Sequence, residues 1–399
     1  MKLRLGNPEE VDMSNQRVRY IVDLAKSWVN QNITPALIIL VARKGVIIIH
    51  EAFGHLTPEP DSPPLQSDTI FPLASLSKPI TATAAMILVE DGLLGLNRPV
   101  SWYIPEFTGE GKDAVMVHHL LTHTSGLKGE EVETYANKRK GTVEIPTPDE
   151  TQHPGINEYL FLRYDTPLSK TPGTEMSYCN FGYMLVGEIV RRVSGKSLND
   201  FTKERIFEPL GMKDTWYVVP DSVKHRIIKR SNDAPYGVWL NSEGLQERPS
   251  AAGGAFSTAK DMAIFGQMIL NRGVYGDARI LSTASVAEMT RNQIPGIGAQ
   301  YGDNFFPEAS WGLGWSIHGI KKSIGYAETL QSSRAFSHGG AGGVFLSVDP
   351  AYEIVGVYFS VMSPGSIPKG VEIKPFFGDV ELMGRIDMFI NAVTAAVMD

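Results

Sequence analysis

At 399 residues and 43% hydrophobic, the chain is long enough for two domains, or for one large domain carrying an insertion, around a substantial core. Its formal net charge of −7 argues against nucleic acid and against anionic membrane surfaces as partners. A single cysteine, Cys179, excludes an internal disulfide, and no Cys/His spacing suggests zinc, so neither a metal nor a cofactor is expected. No run approaches the roughly 18 apolar residues that span a bilayer. The opening stretch MKLRLGNPEEVDMS lacks the apolar core of a signal peptide, so a cytoplasmic protein is the expectation.

Residues 14–32 place Val18, Ile21, Val22, Ala25, Trp28 and Val29 at helical spacing. Residues 35–54 read as two strands joined at Lys44-Gly45. Both strands are apolar almost throughout, which predicts cover on both faces. The proline-rich stretch 57–69 is a surface loop. It leads into FPLASLSKPITATAAMILVEDG, residues 71–92, where Thr81, Ala84, Ala85, Leu88 and Val89 recur at helical spacing. Gly92 stands where a glycine helix stop would fall. Pro79 has no N–H and is tolerated only near a helix start, so this helix begins within a few residues of Ser75.

Residues 115–127 hold a short helix with His118, His119 and His123, but no carboxylate spacing completes a metal site. Residues 128–172 are charged, proline-containing and irregular, a candidate lid or rim. A turn then reaches Tyr178, and an apolar helix runs from about 181 to 193, stopped at Gly195 and followed by another to about 207. The Gly253-Gly254 pair precedes an amphipathic helix, for which Ser257 is the expected N-cap. Residues 311–315 start a strand. From Phe336 two β-rich runs flank an Asp349-Pro350 turn, and residues 379–397 form a last helix. Strands thus gather at both chain ends. The pattern predicts an α+β fold: an antiparallel sheet from residues 1–75 and 215–399, flanked by helices, with a mainly helical region, 76–214, inserted.

Four S-x-x-K matches occur, at Ser75/Lys78, Ser125/Lys128, Ser257/Lys260 and Ser366/Lys369. Only Ser75 opens a strongly apolar helix. There the Ser75 hydroxyl sits at the positive end of the helix dipole, with Lys78 on the same face. A serine becomes a useful nucleophile when a base takes its proton, and a buried lysine can be neutral enough to serve. Tyr178-x-Asn180 stands at a turn before an apolar helix, whereas Tyr135-x-Asn137 lies in a charged stretch. Gly339, Gly340, Gly342 and Gly343 are placed at a strand, where glycine allows close approach to the backbone.

Ser75-x-x-Lys78, Tyr178-x-Asn180 and His338-Gly339-Gly340 resemble, in order and spacing, the motifs of the serine β-lactamase/penicillin-binding-protein superfamily. The likeness is strongest to its class C-like branch, which includes the family VIII carboxylesterases. The stretches at 119–126, 208–212 and 253–258 resemble that branch as well. The resemblance implies Ser75 as nucleophile, Lys78 and Tyr178 sharing its proton, and an oxyanion hole made by the backbone N–H groups of Ser75 and Ala341. It also implies that Asn180, His338, Gly339 and Gly340 contact substrate or hold the site. His338 stands where the β-lactamases carry lysine, which argues against β-lactam turnover. It is expected to face the cleft and to titrate near 6.5. Cys179 is expected to point away from its two neighbours. The leading expectation is a carboxylesterase for small neutral esters. The alternatives are a β-lactamase or D-Ala-type peptidase or amidase, and a non-catalytic binding protein on the same fold. Oligomeric state and natural substrate stay open.

Overall fold

A computed structural model describes residues 1–301, 304–319, 329–362 and 380–399. Its main sheet has seven strands drawn from the two chain ends: β1 (Arg4–Leu5), β2 (Ala36–Arg43), β3 (Val46–Gly54), β4 (Ser316–Ile317), β5 (Phe336–Gly340), β6 (Val344–Asp349) and β7 (Ile354–Ser360). The order across the sheet is β1-β3-β2-β7-β6-β5-β4. All pairings are antiparallel except β1 on β3, which is parallel. The α+β expectation is met, and β7 between β2 and β6 is the seam that joins the two chain ends. Ser366 and Lys369 lie outside the described residues.

The β2–β3 hairpin turns at Lys44 and Gly45, both with positive φ (47° and 78°). That geometry matches the right-handed twist of the flanking strands. Every residue of β2 is buried, as predicted for cover on both faces. Its odd-numbered side chains, Leu37, Ile39 and Val41, join a cluster with α1 (Asn15–Asn30) and the last helix. The even-numbered Ile38, Leu40 and Ala42 point into the larger core on the other face. β3 departs from the expectation. Past Ile49 it is only partly buried, because its outer neighbour β1 is just two residues long.

The larger core is built by α2 (Ser77–Glu90), α3 (Gly129–Arg139), α4 (Pro154–Phe161), α5 (Asn180–Ser194) and α6 (Ala259–Leu270). The last helix, α7, spans Val380–Thr394. Gly266 lets α6 lie close on the sheet, since a Cβ there would meet Val355 at 2.9 Å. Three expectations are corrected here. Residues 128–172 are not irregular; they contain α3 and α4, with Val132, Ala136, Ile156 and Leu160 buried. The run from Phe336 folds into three strands rather than two. Ala341–Gly343 form a turn between β5 and β6, with φ of 85° at Gly342 and 106° at Gly343, which only glycine adopts readily. The cap of α6 is Thr258, whose side chain accepts from Asp261 N, while Ser257 pairs with Phe71 in a two-residue strand.

Candidate active site

Ser75 lies in a single 3-10 turn, Ala74–Leu76, that runs straight into α2, with Pro79 in the first turn of that helix. Ala74 has φ of 44°, a left-handed conformation costly for a residue with a Cβ, one residue before the hydroxyl. The turn is pinned from behind. Leu73 N donates to Ala255 O (2.8 Å), Ser77 Oγ donates to Ala74 O (2.7 Å), and Ala255 N donates to Ser77 Oγ (3.0 Å). Thr81 Oγ1 adds a bond to Ala251 O (2.7 Å). The Gly-Gly-Ala-Phe stretch therefore braces the segment that carries Ser75.

Lys78 is completely buried. Its Nζ lies 3.0 Å from Ser75 Oγ, 2.8 Å from Asn180 Oδ1 and 2.8 Å from Ala252 O. Burial pulls the amine well below the usual lysine range, an effect only partly opposed by Cys179. The surroundings suit a neutral amine. Its two N–H groups point at two carbonyl oxygens, which leaves the lone pair for the Ser75 hydroxyl proton.

Tyr178 and Asn180 come from the turn that starts α5. The Tyr178 ring centroid is 4.8 Å from Lys78 Nζ. His123 sets this turn: its carbonyl accepts from Ser177 N (2.8 Å) and its Nδ1 accepts from Cys179 N (3.2 Å). The His123 ring packs 4.2 Å from the Tyr178 ring, centroid to centroid. Burial, with Lys78 and His338 nearby, keeps His123 well below the usual histidine range, so it stays a neutral acceptor. Cys179 is 1% exposed and packs in the large core, whereas Tyr178 packs against a separate cluster that includes Trp311.

The third motif differs from its expectation. His338 is fully buried on β5, with Nδ1 2.7 Å from Gly339 O and the Trp311 ring 5.7 Å away. Burial first, and Lys78 second, push its pKa down to about 3, so it does not titrate near 6.5. Gly340 touches the Ser75 segment directly: a Cβ there would run into the Leu73 carbonyl oxygen. Ala341, next in line, packs with Ala74 in a small apolar cluster. Ser75, Lys78, Tyr178 and Asn180 thus converge, with Gly339, Gly340 and Ala341 at the adjoining strand end.

A cavity of about 410 Å³ opens beside Ser75 and Asn180, with Glu133, Tyr159, Trp239 and Arg248 on its walls. That volume suits a small-molecule ligand. Sequence reasoning gave no role to His123, Tyr183 or Trp311. Tyr183 donates from its hydroxyl to Leu121 O (2.9 Å) and its ring lies 5.6 Å from Lys78 Nζ. It stands three residues after Asn180 on α5, so helical spacing was the available signal. His118 and His119 bond backbone groups, Leu96 O and Met116 N.

A mainly antiparallel sheet carrying helices, with a serine and a buried lysine at the start of one of them, is the arrangement of the β-lactamase/transpeptidase-like serine hydrolases. The beta-lactamase family model matches residues 22–366, and the chain belongs to that family. A penicillin-binding protein 4 from Amycolatopsis lactamdurans is 28% identical over 348 residues, covering 80% of this chain and 86% of that one. Among solved structures, a family VIII carboxylesterase superposes with a TM-score of 0.72 at 23% identity, covering 96% of this chain and 98% of the other. A penicillin-binding protein homologue from Caulobacter crescentus gives 0.75 at 20% identity, with 96% and 98% covered.

Proposed function

We propose that this serine hydrolase is a carboxylesterase that cleaves small, largely neutral esters through an acyl-enzyme on Ser75. The observation that carries the reading is the desolvated Lys78 amine, 3.0 Å from Ser75 Oγ with its two N–H groups already occupied. In acylation Ser75 Oγ attacks the ester carbonyl and its proton passes to Lys78 Nζ. The carbonyl oxygen becomes an oxyanion held by the N–H groups of Ser75 and Ala341. Collapse breaks the bond to the alcohol, which leaves with a proton delivered through Lys78 and Tyr178. Water then repeats the sequence on the acyl-enzyme, losing its proton to the same pair and releasing the acid. Asn180 holds Lys78 in line. Gly339 and Gly340 leave the strand edge open to the substrate, and α3 and α4 serve as the rim of the acyl cavity.

Neutral esters are favoured because His338, the counterpart of the β-lactamase lysine, is held uncharged by burial. A substrate carboxylate finds no cation in the His338 side chain. The second reading, a D-Ala-type peptidase, draws on the chain's 26% identity over 389 residues to a Salmonella enteritidis protein named for D-alanyl-D-alanine carboxypeptidase activity. A panel of p-nitrophenyl acetate, butyrate and octanoate against nitrocefin and a D-alanyl peptide separates the two. Wild type is expected to turn over the esters at least tenfold more efficiently, and Ser75→Ala to lose both turnover and fluorophosphonate labelling by several orders of magnitude. Peptide or nitrocefin turnover matching butyrate moves the assignment to the second reading. Labelling that survives Ser75→Ala removes the nucleophile.

A further inference from the structure

Arg230 is a buried cation with nothing to neutralise it among the described residues. The residue is 2% exposed, and none of Nε, Nη1 and Nη2 has a hydrogen-bond acceptor among the described residues. The residue itself is firmly placed: its backbone N–H donates to Asn241 Oδ1 (3.0 Å) and its carbonyl accepts from Asn241 Nδ2 (2.7 Å). The guanidinium carbon lies 5.9 Å from the centroid of Phe71, a residue that leads into Ser75. On the other side it abuts the β5–β6 turn, where a Cβ on Gly342 would stand 3.3 Å from Arg230 Nε. Gly342 follows Ala341, so backbone dimensions keep the guanidinium within about 10 Å of the Ala341 N–H.

An unpaired buried charge is a standing cost to the fold, and a buried polar group with no partner calls for an explanation. Its neighbours sharpen the question. Burial holds His338 uncharged, so it brings no positive charge to the place where the ester carbonyl would turn negative, and Lys78 gains a full charge only by taking the Ser75 proton. A guanidinium keeps its proton even when burial lowers its pKa. We infer that Arg230 supplies uncompensated positive potential to the oxyanion formed between the Ser75 and Ala341 N–H groups, at the expense of the stability of the resting protein. The inference rests on the acyl-transfer reading of the site. The carbonyl of a bound ester is nearly neutral and gains little from the cation. The tetrahedral state carries a full negative charge, and the attraction is realised there, so Arg230 raises kcat and leaves KM alone. It touches no substrate atom; it acts through its field across the glycine turn.

The test compares wild type with Arg230→Met and Arg230→Lys. Arg230→Met is expected to raise the melting temperature while kcat for p-nitrophenyl butyrate falls about tenfold or more and KM stays within about threefold; tenfold corresponds to about 1.4 kcal/mol. The affinity for phenylboronic acid, which forms an anionic tetrahedral adduct on a reactive serine, should fall by the same factor as kcat. Arg230→Lys keeps a charge and should retain most of both. Unchanged kcat and boronate affinity in the methionine variant overturn the inference. So does a drop in melting temperature that lysine does not restore, which marks a packing role. The wild type alone reports on the underlying assignment. If it neither cleaves esters nor reacts with a fluorophosphonate, the acyl-transfer reading falls and this inference with it. If it does both and only the variants fail to respond, Arg230 alone is reassigned.

Discussion

Lys78 can take the Ser75 proton only when it is itself uncharged, so its titration should be visible in the kinetics. The folded protein lowers its pKa through burial, while in the unfolded chain the amine returns to about 10.4. The active form is the deprotonated one. The kcat/KM for p-nitrophenyl butyrate should therefore rise with pH along one limb whose midpoint lies below the ordinary lysine range. Stability should rise in the same direction between the two pKa values, because there the unfolded chain binds the extra proton. His338 adds no limb between pH 5 and 9, since its pKa is held near 3. A limb near 6.5 would mean that a histidine, not Lys78, governs the reaction. Cys179, buried in the core, bears on the fold alone. Cys179→Ala should keep kcat within about threefold and cost about 1 kcal/mol of stability; a far larger loss of kcat in the folded variant would put the thiol in the site.

At the level of elements, the site depends on how closely β5 is laid against the Ser75 turn. Gly340 is the contact, and the obstacle to any side chain is the main-chain oxygen of Leu73, which cannot swing aside as a flexible side chain would. Gly340→Ala should separate the Ser75 and Ala341 N–H groups. The expected result is a kcat loss of about 100-fold or more with a melting temperature lowered by only a few degrees; kcat within threefold of wild type would show that this contact does not set the site. The same elements show what was readable beforehand. Pro79 and Gly92 punctuate α2, and Lys44-Gly45 marks the first hairpin, so both were visible from local chemistry. The β5–β6 turn was missed because a glycine run in an apolar stretch reads equally as a strand edge or as a turn. Helix α3 was missed because it buries only Val132 and Ala136 of its eleven residues and has no side-chain cap, and α4 because it is only eight residues long. Shortening their segment would therefore remove core contacts, not merely a rim. His123 showed only as part of the 119–126 stretch, and Trp311 and Arg230 gave no sign of a place near the site. Each reaches the site from a separate stretch of chain, and only the tertiary fold shows what it packs against.

For the whole molecule, the division into a sheet region, 1–75 with 215–399, and a helical region, 76–214, is a proposal about sequence rather than about independent folding. One continuous cluster runs from Ile38, Leu40 and Val357 in the sheet, through Ala85 and Leu88 on α2, to Leu185 and Ile189 on α5. Helix α2 is buried nearly all round, with twelve of its fourteen residues buried, so it has no solvent-facing side to offer if the sheet is removed. Its polar groups cross the same boundary: Lys78 and Thr81 bond to Ala252 and Ala251. Chains well beyond 150 residues often unfold in stages. Here an intermediate that kept one region would expose α2 and leave a buried lysine without two of its partners. Calorimetry should accordingly give a single transition, with equal calorimetric and van't Hoff enthalpies, and tryptophan fluorescence and far-UV circular dichroism should melt together. The isolated 76–214 segment should show no cooperative melt and no protection from hydrogen exchange. Two resolved transitions, or a protected core in that segment alone, would show that the helical region folds independently and that Ser75 and Lys78 sit at a joint between two bodies rather than inside one.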